Sequence, residues 1–284
     1  MYEEWASRMG GAVVWTVDRQ GGPARPVLPD GCMDLLWTGG RLRVAGPDTH
    51  AFLVSGEYDG PCAGIRFAPG TAPAFFGVPA YELRDRRVAL DDLWPAAHVR
   101  RLTERLGEAA DPAAALESLA RRRAAEAGPP DPLAVAVAAQ LGRGRTVADT
   151  ARAAGLGARQ LHRRSLAAFG YGPKTLARVL RLQRALGLVR SGMPYADAAY
   201  AAGCTDQAHL AREMRDLAGT TLSDYLRDTG DRDAGDVGTG DRDTGDRDAG
   251  DVETGDRDAG GLNTGYEALA KRDTALPSGS STTA

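Results

Sequence analysis

The sequence predicts an α+β protein with a β-rich N-terminal domain, an all-α domain after it and a disordered acidic tail. Three observations lead to this prediction. Short apolar runs separated by turn residues fill residues 11–68, which is typical of a small sheet or an open barrel. Apolar residues recur with helical period over residues 133–227. From residue 228 onward the chain repeats aspartate, glycine, threonine and arginine with almost no apolar side chain.

The N-terminal domain is predicted to span residues 1–127, with a helical part at its end. Residues 69–95 contain proline and glycine too often for one long helix, so short helices and loops are expected there. Residues 96–127 have helical period, which is interrupted near Asp111 and Pro112.

The GPPDP stretch at residues 128–132 is the predicted domain boundary, because prolines disfavour helix continuation and stiffen a linker. The all-α domain then covers residues 132–227, which hold 14 Lys or Arg against 6 Asp or Glu, a net charge of +8. Seven helices are predicted there, near residues 133–142, 146–154, 158–169, 173–190, 195–202, 206–217 and 221–227.

The predicted tail covers residues 228–284. Its first part, residues 228–260, holds 4 Arg against 12 Asp or Glu, a net charge of −8. A chain this polar cannot offset its ordering entropy by burial, so disorder is expected. The aspartates lack the spacing of an EF-hand loop, which favours a solvated tail over a calcium site.

The composition argues against several classes of protein. Cys32, Cys62 and Cys204 lie far apart and show neither metal-ligand spacing nor a disulfide framework. The acidic N-terminus is unlike a signal peptide, and no apolar run reaches the roughly 18 residues of a membrane span. Enzyme motifs such as a P-loop or a G-x-S-x-G elbow are not found. We therefore expect a cytoplasmic, non-enzymatic protein without cofactor, metal or membrane partner.

One short pattern occurs twice, at residues 147–170 and again at residues 195–219. Each copy predicts a short helix, a turn containing glycine and a longer helix, which is the helix-turn-helix pattern. A small residue lets the two helices cross closely, and glycine supplies the positive φ of the turn. A simple helix C-cap would also explain the glycines and is compatible with the turn. The matched residues are Ala151 with Ala199, and Gly155 with Gly203.

The second helix of each copy is polar on the side away from its apolar stripe, as in helices that enter the major groove of B-DNA. Arginine pairs with guanine and glutamine with adenine there, whereas other cations contact phosphates. Two copies 48 residues apart in a basic segment favour DNA binding over ordinary surface arginines. The predicted DNA-binding residues are Arg159, His162, Arg163, Lys174, Gln207, His209 and Arg212.

These motifs resemble the AraC/XylS family of bacterial transcription regulators over residues 132–227. The resemblance rests on FGYGPKTL, RLQRAL, GCTDQAHL and the closing LAGTTLSDYLR. It implies that the long helix near 173–190 holds two helix-turn-helix units, whose second helices enter successive major grooves about 34 Å apart. Ser165 departs from the family pattern, because an apolar residue is usual at its position. Cys204 and Leu210 stand where aromatic residues are usual, and Leu222 where proline is common.

The N-terminal part resembles a domain found ahead of this module in many actinobacterial regulators, through segments such as RPVLPDGCMDLLW at residues 25–37. Such domains sense a small molecule or mediate dimerisation. Polar or aromatic groups near the strands are therefore expected to bind an effector, namely Asp30, Asp34, Trp37 and Arg66. In the alternative interpretation, Asp30 stabilises a turn and Trp37 belongs to the core.

The sequence thus predicts a regulator that binds double-stranded DNA, with a small-molecule effector and RNA polymerase as further candidate partners. Monomer and homodimer both stay open. An alternative is a DNA-targeted enzyme with a thiol-based, alkylation-repair-like site in residues 1–127, which requires a reactive Cys32 or Cys62. A further hypothesis is that the −8 tail competes with DNA for the +8 domain.

Overall fold

The computed structural model describes residues 2–19, 25–54 and 60–230. Its N-terminal domain is built on a six-stranded antiparallel sheet in the order β1-β2-β7-β4-β5-β8, and β3 pairs with β6 in a second, two-stranded sheet. The strands are β1 Tyr2–Ala6, β2 Val13–Arg19, β3 Arg25–Val27, β4 Met33–Thr38, β5 Arg41–Ala45, β6 Phe52–Val54, β7 Gly60–Phe67 and β8 Arg87–Ala89.

The two faces of the large sheet differ, because successive side chains of a strand point to opposite sides. One face carries Val14, Leu35 and Ile65, which are fully buried beneath the helices that follow the sheet in sequence. Aromatic rings complete this core, with the centroids of Phe67 and Phe75 only 4.6 Å apart. The opposite face holds the polar groups described below.

The helices confirm the predicted α+β class and an all-α second domain. Residues 72–92 form one short helix, two 3-10 turns at Ala80–Glu82 and Leu90–Asp92, and the strand β8. The α-helices are α1 Ala72–Phe76, α2 Ala96–Gly107, α3 Pro112–Ala127, α4 Pro132–Gly142, α5 Val147–Ala153, α6 Ala158–Phe169, α7 Pro173–Arg190, α8 Tyr195–Ala201, α9 Gln207–Ala218 and α10 Leu222–Gly230.

The long helix α7 is shared by two hydrophobic cores. Leu176 and Leu180 on one part of its surface pack with α4 and α6. Leu182 and Leu186 pack instead with α8, α9 and α10. One continuous helix therefore belongs to both units, as the family resemblance implies.

The predicted tail lies almost entirely outside the described residues, which end at residue 230. The last helix, α10, continues to Gly230, two residues beyond the predicted start of the tail. The disorder expected for residues 231–284 stays a prediction.

Candidate nucleic-acid interface

The two helix-turn-helix units have the same hydrogen bond at their turns. In the first unit, the Leu156 N–H donates to the Ala151 carbonyl oxygen at 2.9 Å. In the second, the Cys204 N–H donates to the Ala199 carbonyl oxygen at 2.8 Å. These bonds satisfy a carbonyl group at the end of each first helix, so the sequence repeat is also a repeat in structure.

The turn glycines adopt the left-handed conformation that this bond requires. Gly155 has φ of +64° and Gly203 has φ of +85°. A Cβ at Gly155 would meet nothing within 4 Å outside its immediate neighbours, so backbone conformation rather than space requires glycine there. Each glycine thus ends the first helix and forms the turn with the same backbone conformation.

The two matched alanines, where the helices of each unit cross, are buried to different degrees. Ala199 is fully buried in the core of the second unit. Ala151 is half-buried and packs against the core of the first unit. The helix crossing of the second unit is therefore more deeply buried than that of the first unit.

Side chains fix the start of the second helix of each unit, α6 and α9, which we call the recognition helices. Asp206 Oδ1 accepts a hydrogen bond from the His209 N–H at 2.6 Å, which makes Asp206 the N-cap of α9. In the first unit, Gln160 Oε1 accepts from the Gly157 N–H at 3.1 Å. Both recognition helices therefore begin at a fixed residue.

The outer face of the first unit exposes Arg159 and Arg163 on α6. Lys174 is exposed in the first turn of α7, beside backbone N–H groups that have no partner within a helix. His162 is also exposed, but its ring lies against the backbone of Gly172. The first three of these side chains can extend away from the domain.

The outer face of the second unit exposes Gln207 and Arg212, whereas His209 differs from the expectation that it faces outward. Its Nδ1 accepts from the Thr205 N–H at 3.3 Å, and its Nε2 lies 3.4 Å from Glu213 Oε1. His209 is directed along its own helix because position i+4 lies on the same face of a helix. These contacts help to orient the ring on α9, and a contact between His209 and DNA stays a prediction.

Three exposed arginines of the recognition helices have no partner in the described part of the protein. Among the described residues, Arg159, Arg163 and Arg212 form no ion pair or hydrogen bond with the protein. The side chains of exposed Arg145 and Arg215 likewise form none. Several other arginines of the domain are paired with carboxylates. Their ion pairs are Arg152–Asp149 at 2.7 Å, Arg164–Asp131 at 3.5 Å, Arg178–Asp216 at 3.0 Å and Arg227–Asp224 at 3.0 Å.

A buried carboxylate joins the second recognition helix to α7. Glu213 is 4% exposed and accepts from Arg181, whose Nε lies 2.9 Å from Oε2 while its Nη2 contacts Oε1. Arg178 Nε lies 3.4 Å from Oε1. Burial tends to raise the pKa of Glu213, but the hydrogen bond and charge of Arg181 outweigh burial and lower it. Glu213 is therefore a structural anion of the helix that carries Arg212.

Cys204, His209 and Glu213 bring three groups of metal-ligand chemistry within 4.8 Å of one another, which spacing along the sequence did not predict. Both oxygens of Glu213 are already engaged by Arg181. A cation would also meet the positive charges of Arg178 and Arg181. The arrangement suits a hydrogen-bonded ion-pair network better than a metal centre.

Ser165, which departs from the family pattern, is a buried polar side chain of the first unit. The residue is 1% exposed on α6, and its Oγ has no hydrogen-bond partner within the described structure. A cleft open to solvent lies beside it, lined in part by Val137, Leu161 and Phe169. A larger apolar side chain would fill this space and bring no unpaired hydroxyl group.

The polar face of the N-terminal sheet gathers three of the four residues expected to bind an effector. Arg66 Nε lies 3.4 Å from both Asp30 Oδ2 and Asp34 Oδ1. Asp34 Oδ1 also accepts from Trp15 Nε1 at 2.8 Å. The Trp15 ring covers Gly64, where an added Cβ would come within 2.2 Å of it. Sequence reasoning did not identify Trp15, although tryptophan paired with glycine on neighbouring strands was a usable signal.

Trp37 does not join this cluster, which corrects its assignment to an effector site. It lies on β4 three residues after Asp34, so strand alternation places it on the other face of the sheet. There it is 8% exposed and packs in the hydrophobic core. Trp37 is a core residue, as the alternative interpretation expects.

The Cys32 thiol of the N-terminal domain lies in surroundings that oppose ionisation. Cys62 is buried, and Cys32 lies next to Asp30. Burial raises the pKa of the Cys32 thiol well above its ordinary value, and the charge of Asp30 adds to this effect. Because the thiolate is the nucleophile, this environment disfavours the thiol-based chemistry of the alternative hypothesis.

No helix in the described part of the chain combines the length and the apolar character needed to cross a membrane.

Comparisons with known proteins match two separate parts of the chain. Residues 150–228 match a family model described as helix-turn-helix domain, and residues 12–89 match one described as domain of unknown function DUF6597. The search of curated proteins gave no match.

Solved structures of ToxT from Vibrio cholerae are similar at low identity. One form shares 10% identity at a TM-score of 0.42, over 80% of this chain and 98% of ToxT. ToxT bound to (E)-4-(8-methylnaphthalen-1-yl)but-3-enoic acid shares 9% identity at a TM-score of 0.41, over 80% and 98%. A form of ToxT bound to an unsaturated fatty acid shares 9% identity at a TM-score of 0.39, over 76% of this chain and 94% of ToxT.

Proposed function

We propose that this chain, whose C-terminal domain is a helix-turn-helix domain of the AraC/XylS type, is a DNA-binding transcription regulator that contacts two successive major grooves. The observation that carries the proposal is the set of cations on the recognition helices. Arg159, Arg163 and Arg212 are exposed and lack protein partners within the described structure. Arg152 and Arg164, close to the first two in sequence, are held in ion pairs instead. Unpaired guanidinium groups on two matched helices fit an external anionic partner.

Two features join the units to each other, which supports joint binding to one duplex. Helix α7 packs with both cores, and Arg184 adds a second link. Its Nη1 donates to the carbonyl oxygen of Gly142 at the end of α4, and its Nη2 donates to that of Ala202 at the end of α8. A single chain therefore supplies two recognition helices and can bind an asymmetric site without forming a dimer.

The side chains divide into two proposed roles. Arg159, Arg163, Gln207 and Arg212 extend from the recognition helices and would contact base edges, arginine with guanine and glutamine with adenine. Lys174 lies at the N-terminus of α7, where backbone N–H groups and a cation together favour a phosphate. His209 would act indirectly, by orienting α9.

The N-terminal domain would modulate DNA binding through the cluster of Arg66, Asp30 and Asp34. Arg66 is held by long contacts of 3.4 Å to two carboxylates, and its Nε is buried without a hydrogen bond within the described structure. A buried donor of this kind favours a further acceptor, which a small-molecule effector can supply.

Selection of bound duplexes from a random DNA pool tests the proposal. We expect enrichment of a motif with two short elements whose centres lie about one helical turn apart, about 10–10.5 base pairs. Affinity for the selected duplex should fall steeply with salt, because each phosphate contact releases counterions. Binding that enriches no sequence at any salt concentration would contradict a sequence-specific regulator.

A further inference from the structure

The N-terminal domain contacts the C-terminal ends of both recognition helices. Arg84 Nη1 donates to the carbonyl oxygen of Gly170, the residue that ends α6, at 3.3 Å. The Ala51 N–H donates to the carbonyl oxygen of Leu217 in the last turn of α9 at 2.7 Å. Two loops of one domain therefore hold the same end of both DNA-facing helices.

At the first of these contacts, the N-terminal domain approaches the backbone of Gly170 too closely for a side chain there. Gly170 has φ of +80°, and a Cβ there would come within 2.6 Å of Pro47 and 3.2 Å of the Ala80 carbonyl oxygen. Glycine at this position serves both the helix C-cap and the approach of the N-terminal domain. The contact is thus part of the packed structure rather than a loose surface touch.

A third contact lies between the two units, on α7. The buried Gln183 Nε2 donates to the Pro29 carbonyl oxygen at 2.6 Å. Leu28, 6% exposed, belongs to the hydrophobic core of the second unit although it comes from the N-terminal domain. Gly31 packs on Leu176 of the first unit, where a Cβ would lie 3.2 Å from Leu176 Cδ1.

The segment 28–32 that makes this contact is itself anchored in the N-terminal domain. Asp30 Oδ1 accepts from the Cys32 N–H at 2.8 Å, and Oδ2 lies 3.4 Å from Arg66. The segment therefore connects the sheet of the N-terminal domain to both cores around α7. Any displacement of Asp30 from Arg66 would be transmitted to Leu28 and to the helix that holds the two units.

We propose that the N-terminal domain sets the spacing between the two DNA elements, by fixing the orientation of the two recognition helices through segment 28–32 and the contacts at Gly170 and Leu217. This inference rests on the proposed function. Helix α7 connects the units, but each unit also packs on the N-terminal domain, so loss of that packing would widen the range of orientations. Two linked sites bind tightly only where their geometry allows both to engage.

The test measures affinity for a series of duplexes that carry the selected two-part motif with up to five base pairs inserted or removed between its parts. For the natural chain we expect a sharp optimum and a loss on the order of 100-fold at half a turn, where the second unit cannot engage. Leu28→Ala and Gln183→Ala are expected to flatten the optimum, so that insertion of one or two base pairs costs several-fold less than it does for the natural chain.

Val27→Ala is the matched control, since Val27 precedes Leu28 but is 40% exposed. It should keep the natural spacing curve. Gln183→Ala removes one hydrogen bond and leaves the core intact, so it keeps the test informative if Leu28→Ala fails to fold. Folded variants with an unchanged spacing curve would overturn the inference. If the natural chain itself selects no two-part motif, the proposed function fails instead.

Discussion

Arginine has three distinct roles in this domain, and its partners decide which role applies. Arg181 is fixed to a buried carboxylate, and Arg184 caps the carbonyl ends of two helices. Arg212 precedes the buried Glu213 in sequence but is exposed, and it has no partner in the described structure. The same guanidinium group is therefore structural where it is paired and available for DNA where it is not.

Arg212→Ala should relax specificity at a single base pair. A bidentate contact between arginine and guanine contributes about 1–3 kcal/mol of discrimination, and its loss should leave the other positions of the motif unchanged. Competition binding with single-position variants of the selected duplex measures this effect. Arg101→Ala, an exposed arginine on α2 in the N-terminal domain, is the control. Equal weakening on every sequence would assign Arg212 to a phosphate instead.

Ser165→Ala should stabilise the protein. The substitution removes a buried hydroxyl group that has no partner in the described structure, and such groups cost about 1–3 kcal/mol. Alanine is also the better helix former. We expect the free energy of unfolding in urea to rise by about 1 kcal/mol. Ser118→Ala on α3 removes an exposed serine and should give a smaller gain. A loss of stability for Ser165→Ala would show that its hydroxyl is satisfied.

Helical period made some of the candidate interface predictable, because it separates outward from inward positions. Arg159, Arg163 and Arg212 are exposed as expected. Period did not reveal that His209 also contacts Glu213, because a local partner of this kind depends on side-chain packing. Trp37 was misplaced because the face a strand buries depends on the elements that pack on it.

At the scale of elements, α7 is the structural centre of the C-terminal domain. Its segment RLQRAL binds the second recognition helix through Arg181, the N-terminal domain through Gln183 and both units through Arg184. Neighbouring positions on one helix therefore reach three different partners. A regulator with two reading helices needs such an element to keep them in register.

Glu213→Gln should loosen the second recognition helix from α7. It removes the buried anion that Arg181 and Arg178 contact, and hydrogen bonds to charged groups contribute about 1.5–3 kcal/mol each. The free energy of unfolding at neutral pH should fall by about 2 kcal/mol. Glu104→Gln on α2, an exposed glutamate of the other domain, is the control and should leave the free energy of unfolding nearly unchanged.

The effect of Glu213→Gln should depend on pH in a defined direction. The pKa of Glu213 is lowered in the folded state, so its stabilisation is present above the unfolded pKa, about 4.3, and is lost as pH falls through the lower folded value. The natural chain and the variant should therefore converge in stability below about pH 4. A constant difference between them down to pH 2 would contradict the assignment.

Helices were predicted better than strands for a physical reason. A helix makes its hydrogen bonds locally, so apolar period and caps fix its ends, and all seven predicted helices of the second domain are present. The strands β1, β3 and β8 were not distinguished, because each is short and depends on pairing with distant residues. For Arg87–Ala89 the partner is β5, more than 40 residues earlier in the chain.

At the scale of the whole molecule, charge is distributed unevenly. The basic domain has a net charge of +8, and residues 228–260 have a net charge of −8. Because α10 belongs to the core of the second unit, the acidic segment begins close to a recognition helix. An intramolecular polyanion next to a DNA-binding surface competes with DNA by simple electrostatics.

Removal of residues 231–284 should therefore tighten binding to arbitrary duplex DNA at low salt, by on the order of tenfold, and the gain should shrink as salt rises. Affinity titrations at several salt concentrations measure it. A tail of equal length in which every charged side chain is replaced by asparagine should behave like the deletion. If both variants bind as the natural chain does, the tail plays no part in DNA binding.

Packing between the domains was beyond sequence reasoning. Leu28 and Gln183 belong to separate predicted domains, and nothing in their local patterns indicates that segment 28–32 packs on α7. Such contacts arise from the complementary shapes of two folded surfaces, which period and motif do not encode.

The most direct test of the account is hydroxyl-radical footprinting of the chain on a selected duplex. Two recognition helices joined through α7 should protect two patches on one face of the DNA, with centres about 10–10.5 base pairs apart. A single protected patch, or uniform protection along the duplex, would contradict the claim that both units contact successive major grooves.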